Sequence, residues 1–382
     1  MDRNKIRELA GRAEIDIAGV TDRYDADRIR KRLEERRKRN FQTEFEADTE
    51  ERTDIDSILP GWKNIISLAV SYNYRIERSG KKDSLKGYVT KSALGRDYHD
   101  ILHEKMKKLI ALIEEEGCSF RYFCGVDTAP LVDREIAEES GIGFFGKNNS
   151  IINENCGSFI FLGYIVTDLE ISDTDSENFS EESGKSSEET LPENRICENC
   201  SLCLKACPTG AIREGNMMNA RICISYLTQT KDEIPYDLRD RMGKSLYGCD
   251  ICQNVCPYNR KASVKENEVY NDEIDLEDII FISKKGFKEK YGERAFSWRG
   301  KNIIKRNAVI ALSKIKTEES ENILLSQLKD GSEMIRKYSV WALYRQGLSD
   351  REKIEEYSGK FREDNLKEYD RIEGFYVKQR RD

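Results

Sequence analysis

Four cysteines at Cys197, Cys200, Cys203 and Cys207, closed by Pro208, constrain this chain more than any other stretch. The run C-x2-C-x2-C-x3-C-P is the bacterial ferredoxin signature. Three close thiolates wrap three corners of one iron–sulfur cube, and in a two-cluster protein the fourth is carried past it to the other cube. Pro208 stops a helix and turns the chain away. Disulfides and zinc are the other uses of clustered cysteines, and zinc rarely takes this x2-x2-x3 run. Downstream, Cys249 to Pro257 reads C-x2-C-x3-C-P, with Val255 where a third thiolate would stand. The two runs supply seven thiolates where two cubes need eight, and Cys223 between them completes the set. Crossed ligation assigns Cys197, Cys200, Cys203 and Cys256 to one [4Fe–4S] cluster, and Cys207, Cys223, Cys249 and Cys252 to the other.

With 382 residues the chain has length for two or three domains with real cores. No apolar run reaches the length of a membrane span. Met1 to Arg7 lacks the apolar core of a secretory signal, which predicts a cytoplasmic protein. Eleven cysteines then argue for metal ligation in a reducing compartment. His99 and His103 are the only histidines, which leaves little room for a histidine-rich metal site or a Ser–His–Asp triad.

Residues 1–170 read as an α/β domain. Helical patterns at Ile6–Ala13, Arg28–Arg39, Asp97–Glu116 and Asp133–Ser140 alternate with strand patterns at Ile15–Val20, Ile65–Val70, Phe120–Cys124 and Phe159–Val166. The basic Arg28–Arg39 helix reads as a solvated face. Cys118, Cys124 and Cys156 lack ligand spacing and read as packing. Gly141 to Gly146 matches G-x-G-x-x-G, yet a helix precedes it and a strand follows, so the dinucleotide reading fails. Two uses remain open for it: a glycine loop that lets a ligand approach backbone, or a plain turn. Asp127 opens a loop at a strand end, a place for a catalytic carboxylate or for a simple turn acid.

Residues 171–195 are acidic and Ser-rich, a linker or insertion. Residues 196–262 form the bacterial-ferredoxin-like two-cluster domain. From Ser283 to Lys316 eleven Lys or Arg face only Glu289 and Glu293, with Tyr291, Phe296 and Trp298 interleaved. That segment is either a solvated helix face or a phosphate-backbone contact. It leads into Asn307–Leu312, echoed by Tyr338–Leu343, which reads as a HEAT-like α-helical repeat pair within residues 283–382. The fold class is therefore α+β and multidomain: an α/β reductase-like domain, the two-cluster domain and C-terminal helical repeats. Two clusters are a wire, and an α/β domain of this size beside them favours an enzyme.

Val126-Asp127-Thr128-Ala129-Pro130, Gly141 to Asn148, the two cysteine runs with Cys223 between them, Gly95 to His99, and the HEAT-like end together resemble the epoxyqueuosine reductase family. The resemblance spans nearly the whole chain except the acidic insertion. It implies reduction of epoxyqueuosine to queuosine in the anticodon loop of tRNA, and a cobalamin in the α/β domain, similar to that of reductive dehalogenases. Asp127 matches the family acid that would protonate the departing epoxide oxygen, a role that at neutral pH needs a raised pKa in a water-poor pocket. Arg52, Asp127, Ser150, Ser225 and Asp250 are the implied cobalamin contacts. Asp97-Tyr98-His99-Asp100-Ile101-Leu102 departs from the D-x-H-x-x-G motif of histidine-ligated cobalamins, which predicts cobalt without a protein imidazole. Arg299, Lys305 and Arg306 are the implied tRNA contacts, since a loop base is splayed into a pocket while cations hold the backbone. An external electron donor, a monomeric state and no membrane partner complete the expectations. Two alternatives stand: a dehalogenase-like enzyme on a small molecule, and a non-catalytic electron-transfer protein.

Overall fold

The computed structural model describes residues 1–78, 85–172, 196–213 and 217–380. The acidic 171–195 segment therefore lies, from residue 173 on, outside the described residues. Two compact units emerge, and neither follows chain order. The first joins Met1–Arg75, Arg96–Arg221 and Ile251–Glu268; the second joins Ile76–Gly95, Ile222–Asp250 and Val269–Asp382.

The first unit is built on a four-stranded sheet in the order Ile17–Thr21, Asn64–Ser71, Ile160–Thr167, Tyr122–Val126. Helices and strands alternate along the chain as expected, yet every ladder in this sheet is antiparallel. Asn64–Ser71 is buried at every position, as befits a central strand of an apolar run. The Tyr98–Glu115 helix starts where the Asp97 carboxylate accepts the His99 N–H, an ordinary N-cap. It buries Leu102, Met106, Leu109, Ile110 and Ile113 at helical spacing. Gly125 is required beside the sheet: a Cβ there would sit 2.1 Å from the Tyr164 ring. The cysteine runs form short helices, Ile196–Asn199, Leu202–Ala206, Ile251–Asn254 and Pro257–Lys261. Pro257 takes the first turn of its helix, where no N–H is needed.

One expectation for this unit holds only in part. The basic helix, Ala26–Lys38, does present a solvated face, with Lys31, Glu34, Arg37 and Lys38 exposed, but other cations on it turn to acids of neighbouring elements. Arg28 and Arg32 pair with the buried Glu135, Arg32 also lies 4.1 Å over the Phe145 ring, and Arg36 pairs with Glu46. Arg28, Arg32 and Arg36 bind neighbouring elements together through acids that the charge pattern of the helix itself does not reveal.

The second unit holds a three-stranded sheet, Ser245–Tyr247, Lys86–Val89, Glu273–Asp275, and a run of helices. Among these, Lys301–Leu312, Glu318–Gln327, Glu333–Gln346, Arg351–Tyr357 and Arg362–Gln379 pack on their near neighbours in sequence. The echoed segments Asn307–Leu312 and Tyr338–Leu343 are buried throughout, so the repetition marks the faces by which these helices pack. No helix among the described residues is long and apolar enough to cross a membrane.

Candidate active site and cluster pocket

Asp127 follows directly on the Tyr122–Val126 strand with φ of 36°, in the left-handed region that non-glycine residues seldom occupy. The loop it opens is pinned at its far end. The Tyr164 hydroxyl accepts the Leu131 N–H at 3.2 Å, and the Tyr24 hydroxyl accepts the Val132 N–H at 3.1 Å. Burial pushes the Tyr24 phenol up to about 12, so both pins stay neutral hydroxyls. A backbone outlier persists where its surroundings over-determine it, and such outliers gather at functional sites.

The Tyr98 hydroxyl donates to Asp127 Oδ2 at 2.6 Å. His99 Nε2 lies 3.9 Å from the same oxygen, and His99 Nδ1 is 2.7 Å from Asp97 Oδ1. A carboxylate only accepts, so Nδ1 carries a proton, and Nε2 is turned toward Asp127. The Tyr98 ring is stacked 4.8 Å from Phe161, which is itself stacked 4.2 Å from Tyr72. Asp97, Tyr98 and His99 thus converge on the acid because a helix N-terminus and a strand end meet. Sequence reading picked out Gly95–His99 only as a motif and missed these contacts. The Asp127 side chain is 60% exposed, so the chain's own residues do not supply the water-poor pocket expected around it. Asp133, also unflagged by the sequence, is pushed up by burial against the pull of Arg134, and Asp127 reinforces the shift.

Cys197, Cys200, Cys203 and Cys256 line one pocket of the first unit. Burial pushes the Cys203 and Cys256 thiols up, and the neighbouring Cys197 and Cys200 push both further. Four thiolates so placed repel one another unless a cationic core sits among them, which is what a cube's irons provide. Ile152, Ile196, Leu202 and Pro257 make the rest of the wall largely apolar. Among the described residues no three His, Cys, Asp or Glu side chains gather closely enough to hold a single metal ion. Of the other four candidates, Cys207 and Cys252 belong to the first unit and Cys223 and Cys249 to the second. Burial works to raise Cys207, but the Thr209 hydroxyl and backbone N–H groups of Ala211 and Ile212 outweigh it and hold the thiol low. Cys124 lies in a strand, where burial pushes it up to about 11, an inert packing thiol.

The remaining expected site residues fall in different surroundings. Arg52 pairs with Glu46 at 3.1 Å, beside Arg36. Ser150 closes the glycine loop, its carbonyl accepting the Gly146 N–H. The Asp250 carboxylate accepts from the Thr90 hydroxyl and the Lys91 N–H, and the Ser225 carbonyl accepts from Thr228 and Gln229. Two of the three implied tRNA contacts are corrected. Arg306 is fully buried and donates to the carbonyls of Thr230 and Leu227, and Lys305 is buried against Asp330 at 2.6 Å. Both lie on a helix wrapped from Ile303 to Leu312, where a cation turns to carbonyls and acids of its own unit. The exposed cations of the segment are instead Lys284, Lys285, Lys288 and Lys290 on the Lys284–Tyr291 helix, with Lys314 and Lys316 further on. The Trp298 ring nearby in sequence is 57% exposed, with the Arg299 guanidinium 4.5 Å over it.

These features sit on a chain with clear relatives. Residues 196–259 match the family described as 4Fe-4S double cluster binding domain, and residues 52–128 match Epoxyqueuosine reductase QueG, DUF1730. The chain is 33% identical over 342 residues to an epoxyqueuosine reductase of Bacillus cereus, covering 87% of this chain and 86% of the relative. The chain belongs to the epoxyqueuosine reductase family. A solved epoxyqueuosine reductase with a tRNA-Tyr epoxyqueuosine-modified stem loop aligns with a TM-score of 0.83 and 31% identity over 97% of this chain and 98% of that one. The Bacillus subtilis epoxyqueuosine reductase, solved with its catalytic aspartate loop swung out of the active site, aligns with a TM-score of 0.83 and 30% identity over 97% and 98%. Membership makes this chain an oxidoreductase with two [4Fe–4S] clusters, which sets aside the non-catalytic alternative and the small-molecule dehalogenase.

Proposed function

We propose that this chain reduces the epoxide of epoxyqueuosine in the anticodon loop of tRNA to the alkene of queuosine. The observation that carries the reading is Asp127, an acid on a pinned loop whose Oδ2 is held by the Tyr98 hydroxyl beside the Asp97–His99 pair. The net change takes two electrons and two protons and releases the epoxide oxygen as water. Asp127 gives a proton to that oxygen as the carbon–oxygen bond breaks, because an alkoxide is a poor leaving group without one. Tyr98 keeps the carboxyl in place, Asp97 orients His99, and solvent protons taken up at His99 Nε2 reload Asp127, once for each of the two protons the oxygen needs. With the Asp127 side chain open to water in the chain alone, the bound nucleotide and cofactor complete its enclosure.

Cobalamin, when bound, supplies the reduced cobalt that delivers electrons to the carbon–oxygen bond. Asp127, Ser150, Ser225 and Asp250 are the residues proposed to touch it. His99 already has Asp97 on one nitrogen and Asp127 facing the other, which favours cobalt without this imidazole. Cys197, Cys200, Cys203 and Cys256 hold one cluster; Cys207, Cys223, Cys249 and Cys252 hold the other. The Lys284–Tyr291 helix supplies phosphate contacts and Trp298 a stacking surface for the tRNA, with Arg299 retained as a contact.

The test is turnover of an anticodon stem-loop carrying epoxyqueuosine, read by mass spectrometry of the released nucleoside. Wild-type protein containing iron and cobalt should yield queuosine with a chemical reductant. Asp127→Asn should retain both metals and bind the stem-loop but form almost no product. Full turnover by Asp127→Asn would remove the acid from the mechanism, and no turnover by wild type would reject the reaction itself.

A further inference from the structure

The glycine-rich stretch Gly141–Asn148 has no part in the reaction as described, yet it ends in the wall of the cluster pocket. Lys147 and Asn148 line that pocket together with Cys197, Cys200, Cys203 and Cys256. The loop is tight: Gly146 donates to the Ser150 carbonyl and accepts from the Asn149 N–H, both at 2.8 Å. Asn149 is clamped by Arg32 on its side chain and Arg134 on its carbonyl, at 3.0 and 2.8 Å. A side chain at position 146 would put its Cβ 2.4 Å from Ile152 and 2.8 Å from Asn148 Oδ1, so the glycine makes room for the asparagine amide.

What this loop carries to the pocket is a set of N–H donors. The Lys147 N–H points at Cys197 Sγ, 3.5 Å away, while Lys147 Nζ donates to the carbonyls of Glu198 and Cys200 at 2.7 and 3.0 Å. Asn148 is only 6% exposed. Its Oδ1 accepts the Ser150 N–H at 3.3 Å, and because that partner is a donor it fixes which end of the amide is oxygen. The other end, Nδ2, is buried without a hydrogen-bond partner in the chain. Buried amide donors are almost always satisfied, because one left unmade costs its full desolvation.

We infer that Asn148 Nδ2 donates a hydrogen bond to a sulfur of the cluster held by Cys197, Cys200, Cys203 and Cys256, and that with the Lys147 N–H it raises that cluster's reduction potential. The inference rests on the assignment of those four cysteines to one cluster. Reduction adds negative charge to the core, and N–H donors to its sulfurs stabilise the reduced form. A glycine motif that resembles a nucleotide loop is on this reading a clamp on the electron wire.

The experiment is an EPR-monitored redox titration of the full chain with both clusters in place. Asn148→Leu keeps the volume and removes the donor. Asn148→Asp keeps an acceptor for the Ser150 N–H, removes the donor and adds negative charge. Each should make one cluster harder to reduce by about tenfold, about 59 mV for a one-electron couple, and leave the other cluster unmoved. Unchanged potentials for both clusters in both variants overturn the inference. Should neither variant retain its clusters, wild-type protein labelled with side-chain-amide 15N asparagine decides. Hyperfine coupling from that nitrogen to a reduced cluster in pulsed EPR supports the contact, and its absence overturns it. Failure of the cluster assignment shows separately, as a Cys256→Ser variant that keeps its full iron content.

Discussion

At the scale of single residues, the chemistry proposed for this chain rests on who touches Asp127. Tyr98 is its direct donor, at 2.6 Å. Tyr98→Phe should lower kcat for the stem-loop by about tenfold while KM changes little, because one hydrogen bond to a charged group is lost at the acid and none at the distal tRNA contacts. Steady-state kinetics that show an equal loss in KM alone would move Tyr98 from positioning the acid to binding substrate. Arg306 makes the opposite point. Its guanidinium is buried and spent on the carbonyls of Thr230 and Leu227 and on Asn307, and burial pushes it down to about 10, still charged at neutral pH. Arg306→Ala should destabilise the protein by on the order of 3 kcal/mol, as it strands those acceptors in the core and leaves a cavity. Urea melts should show this in the absence of any RNA.

At the scale of elements, the basic segment divides by helix. Lys301–Leu312 is wrapped by its neighbours, whereas Lys284–Tyr291 buries only Phe287 and Tyr291 and leaves its lysines in water. The triple variant Lys284→Glu, Lys285→Glu, Lys288→Glu should weaken stem-loop binding and flatten its salt dependence, each lost phosphate contact removing about 0.7–0.9 from the log–log slope. Its melting temperature should stay near that of wild type, since these side chains are exposed. Equal affinity and an equal slope would place the RNA on another face. A count of charges could not separate the two helices, because both carry Lys and Arg at ordinary helical spacing. The difference lies in how many other helices pack around each.

At the scale of the whole molecule, segments distant in sequence share each unit, and ion pairs tie them. Burial works to raise the Glu46 carboxyl, but the Arg36 hydrogen bond and the charges of Arg36 and Arg52 hold it below the usual range. A depressed carboxylate contributes stability that is fully present above its unfolded pKa of about 4.3 and is lost as pH falls through the lower folded value. Glu46→Gln should therefore melt below wild type at neutral pH, with the gap closing as the pH drops below about 4. A gap that widens in acid would reverse the sign argued here. The cysteine assignment predicts at this scale too: Cys256→Ser should lose about half the iron of the wild-type chain and one of two EPR signals on reduction.

The sequence by itself determined a two-cluster domain, the alternation of helices and strands in the first unit, and an acid at a strand end. Those readings depend on residues a few positions apart: x2 and x3 cysteine spacing, helical and strand periodicity, and a turn after Val126. Tertiary structure alone decided that Arg28, Arg32 and Arg36 of Ala26–Lys38 pair with acids of neighbouring elements and that Arg306 is core. It also brought Tyr98 and His99 to Asp127, and left Asn148 with a buried donor at the cluster pocket. The physical reason is the same throughout. Whether a polar group meets water, a counter-charge or a cofactor is set by the segments folded against it, and in this chain those segments can lie more than a hundred residues away, as Arg32 and Glu135 do.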